Sequence, residues 1–184
     1  IVAVVGRPNV GKSTLFNRLA GKPLAIVDDQ PGITRDRHYA PAHLAGREIQ
    51  LVDTGGFDPT TDDPMGQGIA RHVRAAISEA DLVVCVLDGS APPTGPDREA
   101  VQLLRRSDKP VLYVANKMDG QEREWALGDH YALGMPDLIP VSALHGRRTG
   151  ALEAAIFDNL PVEEVEPEEA DESSLLRIAL VGRH

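Results

Sequence analysis

The feature that most constrains the fold is a glycine-rich loop near the start of the chain. The loop reads "GRPNVGKST" at residues 6–14, and it matches the pattern G-x-x-x-x-G-K-[ST]. The apolar run 1–5 leads into it, and the segment 12–20 has a helical pattern. Glycines let backbone N–H groups turn inward around an anion, and the start of a helix adds the positive end of its dipole. The sequence therefore predicts a strand–loop–helix unit that binds the phosphates of a nucleotide.

Every residue of this loop is a candidate for phosphate or metal binding. We expect the Lys12 amine to reach the β- and γ-phosphates and the Ser13 hydroxyl to bind Mg²⁺. The residues expected to wrap the phosphates are Gly6, Arg7, Pro8, Asn9, Val10, Gly11, Lys12, Ser13 and Thr14. This chemistry suits a nucleoside diphosphate or triphosphate, but it leaves open which base the nucleotide carries.

Apolar runs and segments of helical period alternate along the first 160 residues. Strands are predicted at 1–5, 47–52, 82–88, 111–115 and 138–141, and helices at 12–20, about 66–79, 97–107, 121–131 and 148–158. Four of the five strand segments are nearly continuous apolar runs, which is typical of strands buried on both faces. A sixth strand is expected to pair with 47–52 as a hairpin at an edge. The predicted fold class is α/β, with a six-stranded, mostly parallel sheet, one antiparallel edge strand and helices on both faces.

The stretch "VLYVANKMD" at 111–119 indicates which base is bound. It places Asn116, Lys117 and Asp119 at the carboxyl end of a buried strand, where open α/β sheets bind ligands. Guanine offers a carboxylate two donors side by side, whereas adenine offers an acceptor and no amine at that edge. Unpaired buried polar groups can discriminate between ligands by about 10⁴–10⁵. We therefore expect Asp119 to select GTP over ATP.

Charge and apolar runs limit the partners of the chain. The net charge is −9, but residues 161–173 hold seven acidic residues and no basic one, so the rest of the chain is close to neutral. We therefore expect no direct nucleic-acid patch in this domain. No apolar run approaches the ~18 residues that a membrane span needs, and no signal peptide is recognised. We expect a cytoplasmic protein, with the single cysteine, Cys85, buried in a reducing compartment.

The histidines and two aromatic residues carry weaker expectations. The six histidines have no spacing typical of metal ligands, so we expect them at the surface or in loops. Trp125 and Phe157 fall on predicted helical faces, and we expect both side chains in the core. None of these residues is assigned to nucleotide binding.

The motifs "GRPNVGKS", "DTGG", "NKMD" and "SAL" occur in this order. Together they resemble the GTPases of the Era and TrmE type. The further combination of "PGITRDR", an acidic linker and a second "VGR" is similar to the EngA (Der) family, which has two G domains in tandem and then a KH-like domain. The resemblance covers about residues 1–160. It implies a GTPase that acts in maturation of the large ribosomal subunit, with GTP or GDP and large-subunit particles as partners.

The resemblance also implies roles for residues near the γ-phosphate. Asp53 would hold Mg²⁺ through water, Gly56 would bond the γ-phosphate through its N–H, and Thr34 would bind Mg²⁺ only in the triphosphate state. Loss of the γ-phosphate would then relax the segments 28–40 and 53–70, which is the switch. The metal ligands implied for Mg²⁺ are Ser13, Thr34 and Asp53, and the neighbouring phosphate contacts are Thr54 and Gly55.

On the base side, the resemblance implies that Lys117 lies along the base and ribose. The residues Ser142 and Ala143 would present a backbone N–H to guanine O6, and Leu144 completes that loop. Here the "SA" pair has weight only because it follows a predicted strand. The base-binding set implied by the resemblance is Asn116, Lys117, Asp119, Ser142, Ala143 and Leu144.

The sequence identifies no general base for hydrolysis. Ras places a glutamine directly after the DxxG glycine, and here that place holds Phe57, which can neither accept nor donate a hydrogen bond. We therefore expect slow intrinsic turnover. Related GTPases set an Asn or Asp of the phosphate loop against a potassium ion, and the resemblance puts Asn9 at that place. The candidate catalytic residues are Lys12, Thr34, Gly56 and Asn9.

The chain also repeats its own beginning. The segment "IALVGRH" at 178–184 repeats "IVAVVGR" at 1–7 when the two are aligned on Gly182 and Gly6, which pairs 178–183 with 2–7. This predicts a G domain at 1–160, an acidic linker at 161–174 and the first strand of a second G domain at 175–184. Two alternatives stay open: an Era-like or TrmE-like GTPase that acts on other RNA, and a nucleotide-gated binding module with negligible hydrolysis.

Overall fold

The computed structural model describes residues 1–21, 38–44, 46–53, 67–120 and 127–161. Within these ranges the strands are β1 (Val2–Val5), β2 (His38–Leu44), β3 (Arg47–Asp53), β4 (Leu82–Asp88), β5 (Val111–Asn116) and β6 (Ile139–Pro140). The helices are α1 (Lys12–Leu19), α2 (Gln67–Glu79), α3 (Gly95–Arg105), α4 (Gly128–Tyr131) and α5 (Thr149–Asn159). The acidic linker and the repeated strand lie outside the described residues, apart from Pro161.

The six described strands form one sheet in the order β2-β3-β1-β4-β5-β6. β1 lies between β3 and β4 and is parallel to both, and β4, β5 and β6 continue the parallel part. β2 pairs antiparallel with β3 at the edge, with Leu44 opposite Arg47 at the hairpin end. The predicted fold class is therefore confirmed, including the antiparallel edge strand.

The core lies on both faces of the sheet because successive side chains of a strand point to opposite sides. On one face, Val2 and Val4 of β1 pack with α1 and α5. On the other, Ala3 and Val5 pack with α2 and α3. All seven residues of β4 are buried, as expected for a strand covered on both faces. Cys85 of β4 is buried as predicted, and burial, aided by the negative charge of Asp97, raises the pKa of its thiol to about 12.

Two expectations about individual side chains were wrong. Phe157 was expected in the core, but it is 37% exposed on α5. It directly follows the buried Ile156, and consecutive helical residues are rotated by about 100°, so it lies on a more exposed side of α5 than Ile156 does. The Arg47 guanidinium lies 5.9 Å from the centre of its ring. His130 was expected at the surface, but it is 1% exposed.

Parts of two other expectations fall outside the described residues. The helix predicted at 121–131 is described only from residue 127, where α4 begins at Gly128, and Trp125 is not described. None of the helices that are described is long and apolar enough to cross a membrane.

Candidate nucleotide site

The candidate site lies at the edge where the parallel strands end. Because β1, β3, β4 and β5 run in the same direction, their carboxyl ends meet at one side of the sheet. The phosphate loop (residues 6–14) directly follows β1. The last residues of β3, β4 and β5 are Asp53, Asp88 and Asn116. This edge is where open α/β sheets bind their ligands.

The phosphate loop has a shape that glycine alone allows at two positions. Gly6 has φ +152°, and a Cβ atom there would lie 2.3 Å from the backbone oxygen of Val86. Gly11 has φ +91°, and its Cβ would lie 2.3 Å from the Asn116 side-chain nitrogen. Asn9 also has a positive φ, 64°, which Asn tolerates better than most residues. The loop therefore packs closely against β4 and β5, and its last three residues form the start of α1 at Lys12.

The Lys12 side chain lies within the loop and is only 8% exposed. Its Nζ donates to the backbone oxygen of Arg7 at 3.0 Å. Burial lowers the pKa of Lys12; the Asp53 carboxylate opposes this shift and the Arg7 guanidinium adds to it, leaving a net decrease. A phosphate anion beside the amine would favour its charged form, because an opposite charge within a few ångströms raises the pKa of a lysine.

Two of the three residues expected to bind Mg²⁺ are described, and both lie at this edge. Ser13 is the second residue of α1, and Asp53 is 4% exposed at the end of β3. A hydroxyl and a single carboxylate suit Mg²⁺, because this ion takes its other ligands from substrate phosphates and water. Within the described ranges there is no group of three or more His, Cys, Asp or Glu residues that could hold a metal without a nucleotide.

Asn116 connects the phosphate loop to the loop after β6. Its side chain is buried, and its Nδ2 donates to the backbone oxygen of Val10 at 2.8 Å. Its Oδ1 accepts from the backbone N–H of Ala143 at 2.9 Å. Both polar atoms of this amide are thus used to join two loops, so Asn116 sets the distance between the phosphate side and the base side of the site.

The Asp119 carboxylate is held in place by the loop after β6. The Asp119 Oδ1 atom accepts from the Ser142 hydroxyl at 2.7 Å, and the Arg147 guanidinium donates to the backbone oxygen of Asp119. The backbones of Ser142 and Arg147 also bond to each other. Ser142 is fully buried, whereas the Asp119 side chain is 37% exposed and accessible to a ligand. Leu144 of the same loop is 68% exposed.

A cluster of charged residues beside the phosphate loop was not predicted from the sequence. Asp88 at the end of β4 accepts from the Lys117 amine at 2.7 Å. The Arg7 guanidinium lies 3.5 Å from the same carboxylate, and it also donates to the buried Asp97 at 3.1 Å. The available signals were an acid ending an apolar strand and the helix-capping pair Thr94 and Asp97 of "TGPD". Neither indicates a contact with residues that lie 29 to 90 positions away in the chain.

Several expected site residues lie outside the described residues. Thr34 belongs to the segment 22–37, and the residues Thr54, Gly55, Gly56 and Phe57 belong to the segment 54–66. The two switch segments are described only where they overlap β2, β3 and α2. The predicted roles of these residues therefore stay predictions.

The chain is similar to known GTPases along its whole length. A family model described as "50S ribosome-binding GTPase" matches residues 1–117. GTPase Der of Geobacter sp. (strain M21) is 46% identical over 183 residues, with 100% of this chain and 41% of that protein covered. GTPase Der of Lactococcus lactis subsp. cremoris (strain SK11) is 44% identical over 182 residues, with 99% of this chain and 41% of that protein covered. The chain thus spans about two fifths of the length of these relatives.

Solved structures of Era have the same fold. Era in complex with MgGDPNP and a segment of 16S ribosomal RNA has a TM-score of 0.66 and 30% identity, covering 87% of this chain and 56% of that one. An Aquifex aeolicus Era variant bound to GDP and AlF₄⁻ has a TM-score of 0.68 and 30% identity, covering 91% of this chain and 59% of that one. The resemblance to the Era and Der GTPases is confirmed, and the chain belongs to the 50S ribosome-binding GTPase family.

Proposed function

We propose that this chain binds GTP and GDP, hydrolyses GTP to GDP and phosphate, and uses the difference between the two states as a switch. The observation that carries the proposal is the support of Asp119 and Asn116. Ser142 orients the Asp119 carboxylate, and Asn116 joins Val10 to Ala143, so a base and its phosphates can be bound at a fixed separation. A carboxylate that only accepts hydrogen bonds fits the two donors of guanine.

Phosphate and Mg²⁺ binding follow from the other side of the site. The backbone N–H groups of the phosphate loop and the Lys12 amine would bind the β- and γ-phosphates, and Ser13 with Asp53 would hold Mg²⁺. The metal would supply positive charge at the phosphates during transfer. Thr34 and Gly56 would sense the γ-phosphate, so that its loss releases the segments around them.

Titration calorimetry tests the ligand class directly. GDP and GTP with Mg²⁺ are expected to bind, and ATP under the same conditions is expected to bind at least a thousandfold more weakly, because it leaves Asp119 unpaired. Phosphate release measured with GTP then tests hydrolysis, which we expect to be slow because Phe57 replaces the water-orienting glutamine of Ras. Equal binding of ATP and GTP would contradict the proposal.

We further propose that a potassium ion at Asn9 accelerates hydrolysis. The Asn9 residue of the phosphate loop is exposed and has a left-handed backbone conformation. Turnover measured in KCl is expected to exceed turnover in NaCl, and Asn9→Ala is expected to remove the difference. Equal rates of the unsubstituted protein in both salts would exclude a role for potassium.

The cellular process we propose is maturation of the large ribosomal subunit. The proposal is supported by the family description and by relatives named GTPase Der. The test is co-sedimentation of the full-length protein with purified large and small ribosomal subunits, each in GDP and in a non-hydrolysable GTP analogue. Binding to the large subunit that depends on the nucleotide is expected. Binding to the small subunit alone would favour the alternative of an Era-like protein that acts on other RNA. Binding that requires GTP, with no measurable turnover on particles, would favour a nucleotide-gated binding module.

A further inference from the structure

The Asp88 carboxylate contacts two parts of the site: the phosphate loop (residues 6–14) and the base-recognition segment that contains Asn116, Lys117 and Asp119. It is buried at the end of β4, and its Oδ2 accepts from the Lys117 amine at 2.7 Å. The Arg7 guanidinium approaches the same oxygen at 3.5 Å. Arg7 belongs to the phosphate loop and Lys117 to the base-recognition segment. The Asp88 Oδ2 atom therefore contacts one cationic side chain from each of these two parts of the site.

The other polar atoms of Asp88 fix this oxygen in position. Oδ1 accepts from the Ser90 backbone N–H at 3.0 Å and from the Ser90 hydroxyl. The Asp88 backbone oxygen lies 3.0 Å from Nε2 of the buried His130. Burial raises the pKa of Asp88, but the hydrogen bonds from Lys117 and Ser90 outweigh it, so the pKa lies below its usual value. The group is therefore a fixed, ionised carboxylate at neutral pH.

Arg7 is also held from a second side. Its Nε donates to Asp97 at 3.1 Å, and the same Asp97 oxygen accepts from the backbone N–H and the hydroxyl of Thr94. Asp97 is 3% exposed in the first turn of α3. The two carboxylates thus direct the Arg7 guanidinium away from its own loop and towards β4 and α3.

We propose that Asp88 is a positioning residue that couples the phosphate loop to the base-recognition segment by holding Arg7 and Lys117 on one carboxylate. The inference rests on the proposed function, because it concerns how the site holds a guanine nucleotide. Long cationic side chains lose rotamer freedom when they are ordered. Asp88 orders the Lys117 side chain before the nucleotide arrives, so its rotamer entropy is not lost during binding. Preorganisation of this kind increases affinity.

The variant Asp88→Asn separates the two sides of the carboxylate. The amide oxygen can take the place of Oδ1 and keep both bonds from Ser90, while the amide NH₂ faces Lys117 and Arg7 and cannot accept from them. We expect Asp88→Asn to weaken GDP binding about tenfold, because ordering one or two long side chains during binding costs affinity on this scale. The matched control is Asp137→Asn, which makes the same change at an exposed position and is expected to leave affinity unchanged.

A double-mutant cycle provides the readout that a merely structural role would not change. GDP affinity is measured for the unsubstituted protein, Asp88→Asn, Lys117→Met and the double variant, with thermal unfolding in parallel. If Asp88 acts through Lys117, the effect of Asp88→Asn falls to about threefold or less in the Lys117→Met background, since residues in one ion-pair network are not additive. An equal effect in both backgrounds, or no effect of Asp88→Asn at all, would overturn the proposal.

A second cycle leaves Asp88 intact and is informative even if Asp88→Asn does not fold. Arg7→Gln and Lys117→Met change two residues that both bind Asp88. Their effects on GDP affinity are expected to be non-additive, and strict additivity would contradict the coupling. Failure of the proposed function is distinguishable, because the unsubstituted protein would then bind no guanine nucleotide in the first place.

Discussion

The phosphate loop and the base-recognition residues are built in different ways. The phosphate loop (residues 6–14) owes its shape to the backbone, since Gly6, Asn9 and Gly11 all have positive φ and Gly6 and Gly11 exclude a Cβ atom. The base-recognition residues (Asn116, Lys117, Asp119 and Ser142) owe their arrangement chiefly to side-chain hydrogen bonds, although Lys117 also has a positive φ, 67°. These bonds connect positions that are 23 to 106 residues apart.

This difference determines how each half should respond to substitution. A backbone-defined loop tolerates few changes at its glycines, because both have positive φ and a new Cβ would collide with the Val86 backbone at Gly6 and with the hydrogen-bonded Asn116 amide at Gly11. A half that is held by side-chain bonds should lose affinity in steps, one for each bond removed. The Asn116 side chain contacts both the phosphate loop and the loop after β6. Substitutions that displace Asn116 should therefore affect phosphate binding and base binding together.

The largest effect is expected from Asp119→Asn on the base side. GTP affinity should fall about a thousandfold, since the Asn oxygen can keep one bond only as a neutral one, while its NH₂ meets the guanine amine donor to donor. The charge-assisted bond that is lost contributes roughly 1.5–3 kcal/mol, and the unpaired donors add to the loss. Xanthine carries an oxygen in place of the guanine amine, so the new amide can donate to it and XTP should bind more tightly than GTP. Competition between GTP and XTP for a fluorescent nucleotide measures both affinities. Unchanged GTP binding, or no gain for XTP, would place base recognition elsewhere.

The next largest effect is expected from Gly11→Ala in the phosphate loop. The new Cβ would lie 2.3 Å from the Asn116 amide nitrogen, so it should displace Asn116 and weaken GDP binding about a hundredfold. Backbone strain at positive φ should also cost about 1–3 kcal/mol of stability.

Gly46→Ala is the matched control for that variant. Gly46 has φ +84° in the β2–β3 hairpin, and no atom of the described residues lies within 4 Å of a Cβ atom there. It should lose stability through strain but keep its GDP affinity, as measured by thermal unfolding and calorimetry. If both variants bind GDP equally well, the contact between Gly11 and Asn116 does not define the loop.

A smaller effect is expected from Ser142→Ala. The variant removes the 2.7 Å hydrogen bond to Asp119, so the carboxylate is less well oriented and affinity for GDP should fall about tenfold, equivalent to roughly 1–1.5 kcal/mol. Ser78→Ala removes a hydroxyl from the exposed end of α2 and should change nothing. A loss of stability in Ser142→Ala with unchanged GDP affinity would mean that Ser142 supports the fold and not the base pocket.

The same difference explains what could be predicted from the sequence. Strands buried on both faces appear as continuous apolar runs, so β1, β3, β4 and β5 were predicted nearly to their bounds. The edge hairpin was predicted without bounds for β2, and the helix predicted at 121–131 is described only as α4 (Gly128–Tyr131). The phosphate loop is a local pattern, because its conformation depends on glycines a few residues apart. The base-recognition residues were also found, but only as residue types at the end of a strand.

The contacts between distant segments could not be predicted. The pairing of Asp88 with Lys117 and Arg7 depends on where three strands end relative to one another, and no short pattern records this. His130 was misplaced for a related reason, because a short polar segment gives no sign that its ring packs beneath the last residue of β4. The helical pattern predicts Phe157 in the core, but Ile156, the preceding residue of α5, occupies the buried side of the helix and Phe157 is exposed.

The smallest effect is expected from Arg18→Ala, which tests whether the helix after the phosphate loop supports the base side. Arg18 of α1 donates from Nε to the backbone oxygen of Ala143 and from Nη2 to that of Leu144, at 2.9 Å for the second bond. Because the Arg18 side chain is exposed, these bonds should contribute only about 0.5–1 kcal/mol, and GDP affinity should fall about threefold.

Arg98→Ala, an exposed arginine on α3, is the control for charge. High salt should reduce the effect of a purely electrostatic contribution from either arginine. An effect of Arg18→Ala that persists in high salt would show that α1 holds the loop after β6 by geometry. The backbone-defined half would then support the half that is held by side-chain bonds, and the two halves would be mechanically linked at the helix as well as at Asn116. If Arg18→Ala weakened GDP binding as much as Ser142→Ala does, the base-recognition residues would depend on α1 as much as on their own hydrogen bonds. The difference between the phosphate loop and the base-recognition residues would then be smaller than proposed above.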